Sequence, residues 1–141
     1  MRVYKLFLLG IILTLLVSCS SSKVSKETEQ WITTPSGLQY YDIVVGNGEI
    51  PRAKQKVFIN FVMKTEDGTI IEDTYKSGIP MSFILGNKDA IEGLEEAVAT
   101  MRVGGKRKLV IPPELGFGSR SFRNIPPNSK LVMEVELVKV E

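Results

Sequence analysis

The sequence predicts an α+β domain, a twisted antiparallel sheet of five to six strands wrapped against one short helix. Three observations carry this. From Ser36 onward most of the chain falls into runs rich in β-branched and aromatic residues, separated by turn formers. One stretch alone changes to helical spacing. The last run, Leu131 to Val140, alternates strictly at its start, with Leu131, Met133, Val135 and Leu137 on one face and Glu134 and Glu136 opposite.

In chain order, Leu38 to Val45 forms the first strand, closed by Gly46-Asn47-Gly48. Lys56 to Thr65 is the second, and Glu66-Asp67-Gly68 turns it into a third, Thr69 to Thr74. Met81 to Leu85 is a short fourth strand entered through Gly78-Ile79-Pro80. Ala90, Ile91, Leu94, Ala97 and Val98 then recur at helical spacing, a helix of about ten residues with Asn87 or Asp89 placed to cap its start and Gly104-Gly105 beyond its end. Lys106 to Ile111 resumes strand, and Pro112 to Pro127 is a long loop before the final strand.

Composition narrows the chemistry. The 141 residues are 43% hydrophobic and 24% charged, which fits one ordinary domain, and no repeat or composition break marks a second. Eighteen basic against 16 acidic side chains are too balanced for a nucleic-acid binder. There is no histidine, which removes Ser-His-Asp and Cys-His catalysis and imidazole-dependent zinc. The single cysteine forms no internal disulfide. Glu66-Asp67 and Glu72-Asp73 are expected to be solvated charge rather than metal ligands, and Glu95 and Glu96 a solvated helix face. Gly104-Gly105, Gly116 and Gly118 fit no phosphate-binding loop, and Lys106-Arg107-Lys108 is strand charge with an exposed face. What remains is a set of apolar residues.

Residues 1–18 have the form of an export signal. Arg2 and Lys5 precede Phe7 to Val17, which is apolar apart from Gly10 and Thr14 and is too short to span a membrane before Ser18 to Ser22. Leu16-Val17-Ser18-Cys19 resembles the lipobox of bacterial lipoproteins, which implies cleavage before Cys19 and a diacylglycerol on that thiol, with palmitate among the acyl chains. Two or more acyl chains anchor stably where one binds marginally. Loss of Arg2 and Lys5 leaves charges balanced, so there is no polybasic route to the membrane and the lipid is the anchor. Residues 19–34 are expected to be the acylated cysteine and a flexible tether, and residues 35–141 the domain. Trp31, the only tryptophan, either packs on the domain edge or lies near the membrane.

From Thr34 to Glu141 the chain resembles FKBP-type peptidyl-prolyl cis-trans isomerases. Thr34-Pro35-Ser36-Gly37-Leu38-Gln39-Tyr40 is similar to the lead-in of exported bacterial members, and Glu66-Asp67-Gly68-Thr69 to the family hairpin. Pro80, Leu85-Gly86 and Ile91-Glu92-Gly93-Leu94-Glu95-Glu96-Ala97 follow, then Met101 to Gly105, Ile111-Pro112-Pro113-Glu114-Leu115-Gly116-Phe117-Gly118 and Ile125-Pro126-Pro127-Asn128-Ser129. The resemblance implies an FKBP-like fold and X-Pro isomerisation in exported or envelope proteins, with no cofactor, metal or nucleophile. Phe61, Ile71, Met81, Leu94, Phe117 and Met133 would wall a proline pocket, Ala90 and Ile91 would form its rim, and Ile125 would close the loop side. The Ile91 N–H would meet a substrate carbonyl. Phe122, with Arg120 and Arg123, would contact client chains, and Glu72 stands where the family usually has Asp.

Phe61 and Phe117 replace the family's common tyrosines. Ile71, Met81 and Met133 stand where phenylalanine is usual, and Leu94 where tryptophan is frequent. Fewer polar anchors imply weakened binding of macrolide inhibitors. The alternative to an enzyme is a catalytically weak or inactive chaperone or peptide-binding module using the same groove. Ser20 after Cys19 favours the outer membrane if the source has two membranes, with proline-containing polypeptides and the bilayer as partners and no nucleic acid.

Overall fold

The computed structural model describes residues 29–141. The segment expected to be an export signal, residues 1–18, and Cys19 with the expected tether as far as residue 28 lie outside the described residues. Seven strands form one sheet: β1 (Ile32–Thr33), β2 (Gln39–Val44), β3 (Lys56–Thr65), β4 (Ile70–Asp73), β5 (Met81–Ile84), β6 (Lys106–Ile111) and β7 (Leu131–Val140). The strand order is β1-β2-β6-β7-β3-β4, with β5 paired to β3, and every pairing is antiparallel. A one-turn helix α1 (Thr74–Ser77), the helix α2 (Glu92–Val98) and a 3₁₀ turn at Pro113–Leu115 complete the elements.

Alternation in β3, β6 and β7 sends one set of side chains inward. Ile59, Phe61, Leu109, Ile111, Met133, Val135 and Leu137 form the core with Leu94, Ala97 and Val98 of α2. Gly93 lets the helix come close, because a Cβ there would stand 2.7 Å from Ile111 Cγ2. Gly46 has φ +62°, and a Cβ on it would strike the Gly105 nitrogen at 2.5 Å, so that turn requires glycine on both counts.

Four expectations change. Ile32 and Thr33, read as tether, pair with Tyr40 and Gln39, and Trp31 packs edge-on against Tyr41 with ring centroids 4.7 Å apart. Thr74 ends no strand. It opens α1, because the Asp73 carboxylate accepts the N–H groups of Tyr75 and Lys76 at 3.1 and 3.2 Å. Asp73 is therefore a cap rather than free loop charge. Helix α2 has seven residues, and neither Asn87 nor Asp89 caps it. Asn87 accepts from Lys54 Nζ and Asp89 from the Ile84 N–H. Arg107, read as exposed strand charge, is buried. Its guanidinium bonds Asp42 at 2.7 and 3.1 Å, the Ala97 carbonyl at 2.9 Å and Thr100 Oγ1 at 2.6 Å, and it lies over the Tyr40 ring. A buried cation needs this set, since each unpaired N–H would forfeit its solvation.

No helix among the described residues is long and apolar enough to cross a membrane.

Candidate functional site

Strands β4 and β5 take successive stretches of the same edge of β3, β5 opposite Lys56 to Ile59 and β4 opposite Val62 to Lys64. Between them the ladder is interrupted at Phe61. Thr74 fills the gap: its buried Oγ1 accepts the Phe61 N–H at 2.8 Å and faces Asn60 Oδ1 at 3.2 Å and the Phe61 carbonyl at 3.3 Å. A strand position left open by both neighbours thus stays fully bonded, and the Phe61 ring is held in place.

Over this point lies a groove of about 360 Å³. Phe61, Met63 and Leu94, all buried, make its floor. Ile71 from β4, Met81 from β5, Ala90 and Ile91 before α2, and Phe117 after the 3₁₀ turn make half-buried walls. Glu72, Lys88, Asp89, Phe122 and Arg123 stand at the mouth.

The rim ahead of α2 is set by Glu95. Its carboxylate accepts the N–H of Gly86 at 2.9 Å and of Ala90 at 3.3 Å, tying the segment Gly86 to Ala90 back onto the first turn of the helix. Two backbone donors that would otherwise face solvent are satisfied by one acidic side chain. Glu95 is accordingly no free surface charge, and Glu96 accepts from Ser36 Oγ at 2.7 Å. Ile91 has φ −62° and ψ 145°, and its carbonyl accepts from Leu94 and Glu95. Among the described residues no acceptor takes the Ile91 N–H, which leaves that donor for a ligand.

The opposite side of the mouth belongs to the long loop. Phe122 stacks on Phe117 with centroids 4.4 Å apart and planes 5° from parallel. Phe122 and Ile125 exchange backbone hydrogen bonds at 3.1 and 2.8 Å, which makes the loop tip a tight turn. Arg123 follows with φ +49°, and its Nη1 lies 3.5 Å from Glu72 Oε2, an ion pair linking the loop to β4. Among the described residues no three carboxylate or thiol groups gather as a metal would require.

Of the residues singled out in the sequence, Phe61, Ile71, Glu72, Met81, Ala90, Ile91, Leu94, Phe117 and Phe122 stand together in the groove lining. Met133 and Ile125 do not. Met133 is fully buried opposite Met63, which takes the groove-facing place. Ile125 is buried beneath the loop turn and anchors the loop instead of closing the pocket. Met63, Lys88 and Asp89 were not foreseen, nor were the supports Thr74 and Glu95. Met63 lies two residues beyond Phe61 on one strand face, so strand period alone would have found it. Thr74 and Glu95 act through backbone N–H groups 13 and five to nine residues away, which no local pattern records.

Comparison with known proteins agrees with this architecture. The sequence model described as FKBP-type peptidyl-prolyl cis-trans isomerase matches residues 47–138. The chain is 41% identical over 114 residues to FK506-binding protein 4 of Dictyostelium discoideum, covering 80% of this chain and 31% of that protein. It is 40% identical over 109 residues to the FKBP-type isomerase FkpA of Escherichia coli K12, covering 77% and 40%. The crystal structure of E. coli FkpA superposes with a TM-score of 0.76 at 38% identity, over 82% of this chain and 53% of that one. The crystal structure of AtFKBP13 gives 0.75 at 32% identity, over 79% of this chain and 99% of that one. The chain thus spans between about a fifth and just over half of the length of these curated relatives.

Proposed function

The chain belongs to the FKBP-type peptidyl-prolyl cis-trans isomerase family, and on that footing we propose that its groove accelerates rotation about X-Pro bonds. Amide resonance sets a barrier of about 18–20 kcal/mol. Uncatalysed exchange takes roughly tens to hundreds of seconds. No bond breaks, so no nucleophile is needed. Apolar walls strip water from the polarised planar amide and accommodate the twisted one better. A thousandfold acceleration requires about 4 kcal/mol of such differential stabilisation. The observation that supports this most directly is the Ile91 N–H, without an acceptor among the described residues and at the rim of an apolar groove floored by Phe61 and Leu94. It holds the substrate carbonyl while the prolyl ring sits on the floor.

The test is a protease-free isomerisation assay on soluble Lys23 to Glu141, using peptides with Leu or Phe before Pro. Phe117→Ala is expected to abolish most of the acceleration. Ile91→Pro removes the N–H at a φ that proline already prefers. It should slow turnover by up to about tenfold, the worth of one hydrogen bond, while Ile91→Val does not. No acceleration by the folded wild-type chain overturns the enzyme reading. The groove would then serve as a peptide-binding or chaperone surface, an alternative favoured by Phe61 and Phe117, which bring no hydroxyl to the site.

The same departures underlie a weaker grip on macrolides. A relative is named for binding FK506. Here each lost hydroxyl removes about 0.5–1.5 kcal/mol, and a titration giving family-typical tight binding would refute that. We place the domain in the bacterial envelope, anchored through acylated Cys19, with exported proline-containing polypeptides as clients. Incorporation of labelled palmitate that disappears in Cys19→Ser checks the anchor.

A further inference from the structure

The exposed large apolar residues are not scattered evenly. Trp31, Ile32, Ile43, Val44 and Val45 cluster on the β1–β2 edge, and Val45 is 66% exposed. Ile32, Tyr41, Ile43 and Val45 line one open hollow there with Glu29, Gln30 and Asp42. β1 pairs only with Gln39 and Tyr40, so beyond Tyr40 the outer edge of β2, opposite β6, has no strand beside it. Contiguous exposed apolar surface of this kind marks a contact site.

What covers it is argued from the chain that leads into it. Glu29 follows Cys19 by ten positions. Fully extended, that stretch reaches about 35 Å. An acylated Cys19 therefore confines this edge, more than any other part of the sheet, to the neighbourhood of lipid. Trp31 and Tyr41, packed edge to face, are the two side-chain types that combine an apolar body with a polar tip and favour the headgroup region. The strand order sets β4, with Ile71 and Glu72, at the far side of the sheet, four strand spacings or about 20 Å from β2. An occupant of the β1–β2 edge leaves the groove open.

We propose that the β1–β2 edge lies against the bilayer surface, with Trp31, Ile43 and Val45 at the headgroup boundary and the groove directed away from it. The proposal rests on Cys19 being acylated. Its test does not, because Cys19 carries the only thiol and can be coupled chemically. The chain from Cys19 to Glu141 is attached to vesicles of phosphatidylcholine and phosphatidylethanolamine containing a maleimide lipid, with and without brominated phosphatidylcholine. Emission of Trp31, the only tryptophan, is recorded. On brominated vesicles it is expected to shift to the blue and fall about twofold, as for an aromatic residue at the interface. Ile43→Asp and Val45→Asp, both at exposed positions, should restore it while the protein stays coupled.

Three results overturn the proposal. One is equal emission on both vesicle types with coupling complete. Another is quenching unchanged in the two aspartate variants, which would report tether proximity alone. The third is a blue shift without vesicles that grows with protein concentration, which would assign the edge to a second copy of the chain. Failure of palmitate labelling removes docking in the cell, and it is a separate result from an unquenched Trp31 on coupled vesicles.

Discussion

The two sides of the groove are built on different terms. On the sheet side, Phe61 and Leu94 are buried in the core, and Thr74 and Glu95 tie the neighbouring backbone with hydrogen bonds of 2.8 to 3.3 Å. On the loop side, Phe117 rests on an exposed Phe122, and Arg123 reaches Glu72 through an ion pair at 3.5 Å whose partners are 61% and 42% exposed. The first side shares the stability of the whole fold; the second can open locally at small cost. A polypeptide substrate needs both, a fixed floor to orient the proline and an adaptable margin for residues that differ among clients.

Substitutions test that asymmetry. Phe61→Ala should destabilise the fold by about 3–5 kcal/mol, the usual cost of emptying an aromatic core site, seen as a lower urea midpoint. Thr74→Val keeps the shape but strands the Phe61 N–H, and should cost about 1–3 kcal/mol. Its urea midpoint should recover when Ser replaces Thr, because the hydroxyl returns. Glu95→Ala frees the Gly86 and Ala90 donors near the surface, for about 1 kcal/mol in stability but a larger loss in kcat/KM as the rim loosens. A Glu95 variant with unchanged turnover would remove the rim from the mechanism. On the loop side, Arg123→Gln should change stability by no more than about 1 kcal/mol, the range of exposed ion pairs. Its effect belongs in KM and should fade with added salt. A large shift in the urea midpoint instead would erase the contrast.

The smallest effect comes through pH. The Asp67 carboxylate accepts from the Thr65 hydroxyl and from the Thr69 N–H at 3.0 Å, and the Thr65 bond first, then that of Thr69, holds it below its ordinary value of 3.8. Because the folded value is the lower one, this contribution is complete above 3.8 and is lost as acid protonates the group in the folded state. The protection of the Gly68 and Thr69 amides, with exchange corrected for its intrinsic pH dependence, should fall on acidification, and Asp67→Asn should remove that dependence. The hairpin leads into Ile71 and Glu72, so the sheet side yields from its outer end.

The sheet was legible because strand period and turn residues are local. Lys56–Thr65, Lys106–Ile111 and Leu131–Val140 have the bounds that alternation and turn formers imply. The start of α2 was not, because the acceptor ahead of the helix comes from within it, at Glu95, rather than from Asn87 or Asp89. Arg107 was hidden for another reason. Three consecutive basic residues look like solvated charge, while the acceptors that bury the middle one lie at Asp42, Ala97 and Thr100, brought together only by the fold. The groove positions came from motif resemblance, which locates residues in a family frame but does not separate lining from support. Met133 and Ile125 sit one layer behind the surface they were expected to form.

Strand β7 lies between β6 and β3, although it is the last element in chain order, and Lys56 and Glu141 exchange backbone hydrogen bonds at 2.9 and 2.8 Å. The middle of the sheet is thus supplied last during synthesis. Until residues 131–140 emerge, β3 and β6 have no common neighbour and the inner faces of both stay wet. Such non-local closure delays folding to the end of translation. The sheet therefore has no completed centre until its last strand is made, and a truncation that removes residues 131–140 leaves β3 and β6 unjoined.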